Sequence, residues 1–197
     1  MKQTISVLLI IWAYQLSFSQ DNYKDSLNSY ISNYVQNHEV VTGEDKESFR
    51  FYPIDEKYKV IARFKKAVNS NWFSMETSGV SKKTFRVYGS LYFSINDTSV
   101  TLNLYQSQSM MNTDEYQDLL FLPFADLTSG EETYESGRYI DLLITDIVKN
   151  QVIIDFNKAY NPYCAYVSGK YNCPIPPDEN QLPVAIPAGE KIFAQPH

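Results

Sequence analysis

Residues 91–104 read LYFSINDTSVTLNL. Leu91, Phe93 and Ile95 fall on one side of an extended chain, Asn96-Asp97-Thr98 is turn chemistry, and Val100, Leu102 and Leu104 resume the same side. Side chains alternate with period two along a strand, so this pattern specifies a β-hairpin with one buried face. Asn96-Asp97-Thr98 also fits a glycosylation sequon, but the turn accounts for it fully. The same period runs outward from the hairpin. Val60, Ala62 and Phe64 alternate with Lys59, Ile61, Arg63 and Lys65, and Phe85 and Val87 alternate with Arg86 and Tyr88, as half-buried strands do. Further strands are expected from Tyr139 to Thr145, at Val152, Ile154 and Phe156, and from Lys191 to Ala194.

Before Phe49 the period is helical. Tyr23, Leu27, Tyr30, Ile31, Tyr34 and Val35 recur at three- and four-residue steps, which predicts an amphipathic helix from about Asp21 to Asn37, with a loop at Gly43. One N-terminal amphipathic helix and at least seven short strands predict a mainly β protein, an antiparallel β-barrel or sandwich, over any alternating α/β scheme. The proline-rich stretch from Cys173 to Pro187 is expected to cross the surface as rigid extended chain, since proline lacks the amide hydrogen a central strand needs.

The chain opens with Lys2, an apolar run from Ile5 to Ala13, and the small residues Ser17 and Ser19. That is the order of a cleavable signal peptide, expected over residues 1–20, with a single β-rich domain over residues 21–197. The apolar run is roughly half the ~20 residues a membrane span needs, and no other stretch reaches that length. No cysteine precedes Cys164, which excludes a lipid on an N-terminal cysteine. The expected product is soluble and exported, periplasmic or secreted, with no membrane span in the mature chain. With 17 basic against 23 acidic side chains and a net charge of -6, which loss of Lys2 makes one unit more negative, the chain lacks the basic surplus that nucleic acid requires. Nothing in the sequence signals an oligomeric state.

Between Asp126 and Glu190 the composition changes. Three stretches stand out: PFADLTSGEETYESGRY, DFNKAYNPYCAY and CPIPPDENQLPVAIPAGEK. Together with the earlier FYPIDEKYKVIARFK, they resemble the bacterial and archaeal domain-of-unknown-function family 1684, in its shorter, exported form. The resemblance covers roughly residues 49–193. Tyr163 stands after Asn161-Pro162 where many members have a second proline. Resemblance to this family implies no activity, so the residues must carry the chemical reading themselves.

Cys164 and Cys173 are the only cysteines, with eight residues between them, in a chain expected to reach an oxidising compartment. A disulfide is expected, worth about 2.7 kcal/mol by loop closure. A redox-active or nucleophilic thiol is the alternative, but the spacing is not Cys-x-x-Cys. The two histidines, His38 and His197, lie near the ends of the mature chain, so a zinc site or a histidine-based triad is not expected. Asp126, Thr128, Glu131 and Glu132 could hold calcium, yet their spacing departs from the EF-hand loop, and neither a metal nor a cofactor is expected.

Arg138, one of four arginines, could hold a carboxylate or phosphate by two parallel hydrogen bonds, or form an internal ion pair with Asp126 or Asp155. Three readings follow. The first is a binding domain for a small polar or anionic ligand, with a pocket around Arg138 built from Thr128, Ser129, Tyr134, Asn157, Tyr160 and Asn161. The second is a hydrolase or lyase using Asp126, Asp155 or Glu190 as acid and base, with Arg138 as electrostatic partner. The third is a structural knot of turns, disulfide and buried polar pairs.

Overall fold

The hairpin at residues 91–104 forms within two longer strands. The computed structural model describes residues 22–194, so the expected leader over residues 1–20 and His197 lie outside the described residues. The turn residues Asn96 and Asp97 both take left-handed backbone, φ 48° and 61°. That is the two-residue hairpin geometry whose twist matches the flanking strands, and Asn and Asp tolerate it better than other non-glycine residues. Lys149 and Asn150 repeat the solution, φ 51° and 60°, below the Val148–Gln151 bridge.

The chain divides after His38 into two units. Residues 22–36 of the first are helical. The second carries the sheet: β1 (Lys59–Lys66), β2 (Phe73–Met75), β3 (Lys83–Ile95), β4 (Thr98–Ser107), β5 (Leu119–Phe124), β6 (Arg138–Leu143) and β7 (Gln151–Asp155). The order is β6-β5-β4-β3-β1-β7, with β2 paired to β3, and every pairing is antiparallel. This single sheet curls into a half-barrel.

Alternation decides what each face carries. Ala62, Phe64, Leu91, Phe93, Leu102, Leu104, Leu120, Leu122, Ile140 and Ile154 point to the inner side and join one core. Each of these side chains larger than alanine, taken fully from water, contributes about 1.5–3 kcal/mol. A bulge between Val87 and Gly89 in β3 brings Val87 opposite Tyr105 and Gly89 opposite Leu104. Successive residues of β4 therefore serve different clusters: Leu104 the main core, and Tyr105 a second cluster with Met75 and Phe85 on the outer face.

Several expected elements differ. β2 and β5 carry no alternation that the sequence pattern detects, β2 because it is three residues long and β5 because its run Leu-Leu-Phe-Leu-Pro-Phe is apolar on both faces. Thr145 belongs to a 3-10 turn (Ile144–Asp146), and Phe156 begins another (Phe156–Lys158), so the strands around them end earlier than expected. Residues 191–194 form no strand, although Lys191 N–H donates to the Arg50 carbonyl at 2.8 Å.

The proline-rich segment departs most from expectation. Leu182, Val184, Ile186 and Ala188 are buried in the main core, and the residues between them are not. The segment alternates like a strand without joining the sheet. Its backbone is held from the end of β5, by Leu182 N–H to the Ala125 carbonyl at 2.8 Å and Leu127 N–H to the Val184 carbonyl at 3.2 Å. Prolines stop a ladder but not burial, because side chains still alternate along extended chain.

Candidate functional site

Arg138 opens β6, and its side chain points inward as Ile140 and Leu142 do. It is wholly buried, and one nitrogen of the guanidinium, Nη2, lies 2.7 Å from Asp126 Oδ2, which is buried as completely. Nη2 also donates to the Ile186 carbonyl at 3.0 Å, and Nη1 donates to the carbonyls of Ala188 and Glu190, the latter at 3.3 Å. The Phe124 ring lies 5.2 Å below the guanidinium. Every polar contact beyond Asp126 is therefore with one segment, residues 186–190. Gly137 permits this approach: at φ 85° it turns the chain into β6, and a Cβ there would lie 2.5 Å from the Phe124 carbonyl oxygen.

Asp126 is fixed by its own turn. Its Oδ1 accepts from Thr128 N–H at 2.7 Å, from the Thr128 hydroxyl at 2.6 Å and from Ile186 N–H at 3.3 Å. The Thr128 hydroxyl meets that of Thr133 at 3.0 Å, and Ser129 Oγ accepts from Asp126 N–H at 3.2 Å. This is Asx-turn chemistry placed under an arginine, and both carboxylate oxygens are engaged.

Glu190 is wholly buried at the end of the same segment. It accepts from Asn161 N–H at 2.9 Å and from the Tyr166 hydroxyl at 2.7 and 2.8 Å. Asn161 Nδ2 donates to the Lys191 carbonyl at 2.8 Å. Gly189, φ 75°, lets the segment pass close to residues 156–159, since a Cβ there would lie 2.6 Å from the Ala159 carbonyl oxygen.

Asp155 and Asn157 form a different network. Asp155 Oδ1 accepts from Asn157 N–H and Nδ2 at 3.1 and 3.0 Å, and the Asn157 amide grips the Asp55 backbone at 3.1 and 2.9 Å. That anchors the chain just before β1. Tyr160 is on the outer side of β6, where its hydroxyl donates to Asp141 Oδ2 at 2.8 Å. Tyr134 is half-buried beside the 126–133 turn and accepts from Gly137 N–H through its carbonyl at 3.0 Å. The structure thus gathers Asp126, Thr128, Ser129, Arg138, Glu190 and Asn161 into one buried network, and sets Asp155 with Asn157, and Tyr160, apart from it.

Cys164 and Cys173 stand at disulfide distance, 2.05 Å between sulfurs. Ser78 joins them to residues 77–79: its hydroxyl lies 3.0 Å from Cys164 Sγ and accepts from Cys173 N–H at 3.1 Å. Among the described residues no group of three or more His, Cys, Asp or Glu is arranged to hold a metal ion. Glu132 instead pairs with Lys191 at 3.4 Å.

Two residues outside the sequence-derived set complete the picture. Asn180, wholly buried, exchanges hydrogen bonds with Asn103 at 2.8 and 2.9 Å and donates to the Pro123 carbonyl at 2.6 Å, where β4 and β5 diverge past Tyr105 and Phe121. The clue in the sequence is Pro123 inside a strand, a position that cannot donate and leaves a neighbour to be satisfied otherwise. Asp141 faces outward on β6 between Tyr139 and Leu143. Crowding by the surrounding chain holds its carboxyl above the ordinary carboxylate range, with the Tyr160 hydrogen bond pulling the other way. An acid at an outward strand position reads in sequence as ordinary solvated surface.

Residues 45–191 match the family model described as protein of unknown function DUF1684. An uncharacterised protein of Haloarcula marismortui, known from a solution NMR structure, is similar: 27% identity over 91% of this chain and 94% of that chain, with a TM-score of 0.63. None of the curated proteins matches.

Proposed function

The chain belongs to the DUF1684 family of proteins of unknown function, and we propose that its motif residues form a buried polar lock that seats the segment 182–190 in the half-barrel of an exported, single-domain protein. The observation that carries this reading is that Arg138, wholly buried, places its guanidinium hydrogen bonds on Asp126 and on the carbonyls of Ile186, Ala188 and Glu190. A recognition arginine keeps its fork turned to a ligand, whereas this fork is turned to the chain's own backbone. Export is supported by the composition of residues 1–20 and by the cysteine pair at bonding distance.

Arg138→Lys tests the lock. Lysine keeps the charge but cannot reach three carbonyls and a carboxylate in one plane. The expected result is a lower melting temperature, with faster amide exchange at Leu182 and Ile186. Unchanged exchange across 182–190 would rule the lock out.

A second reading is favoured by two buried atoms with no hydrogen-bond partner among the described residues, Arg138 Nε and Asn161 Oδ1. They support a small polar or anionic ligand enclosed around Arg138. Acetate and phosphate that raise the melting temperature of the natural chain but not of Arg138→Lys would favour enclosure over a lock alone. Acid and base catalysis through Asp126, Asp155 and Glu190 has less support, because each carboxylate already accepts from fixed donors and Asp155 belongs to a separate network.

A further inference from the structure

The outer side of β1 and β7 carries a patch of unusual composition. Along β1, Lys59, Ile61, Arg63 and Lys65 point away from the core, and all four are exposed. The register extends the patch to both neighbouring strands. Ile153 of β7 stands opposite Ile61, Gln151 and Tyr92 flank Arg63, and Ser90 stands opposite Lys65. Val148, bridged to Gln151, puts a third branched apolar side chain on the same side, diagonal to Ile153. Ile61, Ile153 and Val148 are 66%, 51% and 59% exposed. Three neighbouring apolar side chains in water are therefore bordered by cations, with exposed Lys149 in the adjoining turn.

Net charge conceals this patch. Residues 57–96 hold eight of the 17 basic side chains and one of the 23 acidic ones, Glu76, so the negative balance of the chain lies elsewhere. Glu76 pairs with Lys82, and among the described residues no carboxylate pairs with Arg63, Lys65 or Lys149. The Arg63 guanidinium lies 4.4 Å over the Tyr92 ring instead. Acids stand at the border only: Asp155, opposite Lys59 and engaged by Asn157, and Asp97 and Asp146 in turns. A soluble polyanion would neutralise the cations and leave the isoleucines in water. The interface of an anionic bilayer satisfies both, because headgroup phosphates meet the cations while apolar side chains enter the acyl boundary beneath.

We infer that the outer side of β1 and β7 is a docking surface for an anionic phospholipid bilayer, with Arg63, Lys65 and Lys149 on headgroup phosphates and Ile61, Ile153 and Val148 in the interface. The surface is on the opposite side of the sheet from the Arg138 network and uses none of its residues, so the two readings stand or fall separately.

Co-sedimentation of the whole chain with phospholipid vesicles tests the inference; every protein compared carries the same residues 1–20, so any contribution from them is common to all. The chain should bind vesicles of one part phosphatidylglycerol to two of phosphatidylcholine at least about tenfold more tightly than vesicles of phosphatidylcholine alone. Raising salt from about 50 mM to about 500 mM should remove that difference. Arg63→Gln with Lys65→Gln should weaken binding to the anionic vesicles about 25-fold, roughly fivefold per charge. Ile61→Ser with Ile153→Ser should weaken it by about tenfold or more. Lys24→Gln with Lys170→Gln, which removes the same charge from outside the patch, should change it little. All these positions are exposed, and melting curves check that each variant folds. Equal binding to the two kinds of vesicle, undiminished binding by either patch pair, or an equal loss in the Lys24 and Lys170 pair would each overturn the surface. So would binding to heparin that the isoleucine pair leaves unchanged while the vesicles stay unbound, since that assigns the face to a soluble polyanion.

Discussion

Asp126 and Asp141, one following β5 and the other within its partner β6, have opposite circumstances. Asp126, just past the end of β5, is completely buried, accepts three hydrogen bonds on one oxygen and meets a guanidinium on the other. Asp141, in the middle of β6, has one tyrosine hydroxyl and no cation among the described residues. The inner carboxylate has both oxygens engaged away from water, and the outer one has a single partner and faces solvent. Burial makes an unpaired charge costly, so the inner aspartate needs its full set of partners, whereas the outer one faces solvent and does not.

The largest expected effect breaks the inner side of this comparison. Arg138→Met leaves Asp126 as a buried charge without its cation, and Asp126→Asn leaves the guanidinium in the same position. Each single change should cost about 3–5 kcal/mol, whereas the double variant should cost clearly less than the sum of the two. Chemical denaturation of the four proteins measures the coupling. Additive losses would mean that Asp126 and Arg138 do not act as a pair.

The cysteine pair ranks next. Cys164 and Cys173 close a short loop that carries Tyr166, the partner of Glu190, and ends beside Pro174, whose carbonyl accepts from Tyr139. Cys164→Ser with Cys173→Ser should lower stability by about 2–3 kcal/mol. Adding reductant to the natural chain should reproduce most of that loss, and no response to reductant would show that the loop is held without the bond.

Asn180→Ala is expected to be milder, about 1–3 kcal/mol, because it strands the Asn103 N–H and the carbonyls of Asn103 and Pro123 where β4 and β5 part. Amide exchange at Asn103 should rise with it. If exchange there is unchanged, the strands are held at that point by something other than the asparagine.

How much of this was legible before the structure follows from what each residue contacts. The hairpin at residues 91–104 and the strands around Val60 and Phe85 have one wet face and one dry face, so alternation reports them. β5 is apolar on both sides, with Leu120 and Leu122 in the main core and Phe121 in the outer cluster, and no period survives. Residues 182–188 do alternate, but prolines at 183 and 187 mimic a surface linker. Asp126 is one of two partners that the sequence allows for Arg138, and choosing between it and Asp155 requires knowing that Asn157 already occupies the latter. Asp141 is invisible in sequence, since its meaning depends on Phe121 and Tyr160, which only the sheet and the bridge between Tyr139 and Tyr160 bring to it.

The smallest expected effect is the one that separates the two aspartates most sharply. Asp141 titrates above the ordinary carboxylate range in the folded chain because desolvation disfavours its ionised form. A raised folded value means that the folded state holds its proton longer than the unfolded state does. The folded state therefore carries no penalty below the unfolded value, and loses stability as pH rises from there through the folded value. Asp141→Asn keeps an oxygen for the Tyr160 hydroxyl and discards the charge. At neutral pH it should be as stable as the natural chain or more stable by no more than about 1 kcal/mol, solvent screening included. The difference should shrink to nothing under acid conditions. Denaturation midpoints for the two proteins across pH 3 to 8, a window spanning about four units around the ordinary carboxylate value, measure it directly. If Asp141→Asn is instead destabilised as Asp126→Asn is, Asp141 is a second structural acid and the contrast between the two faces is lost.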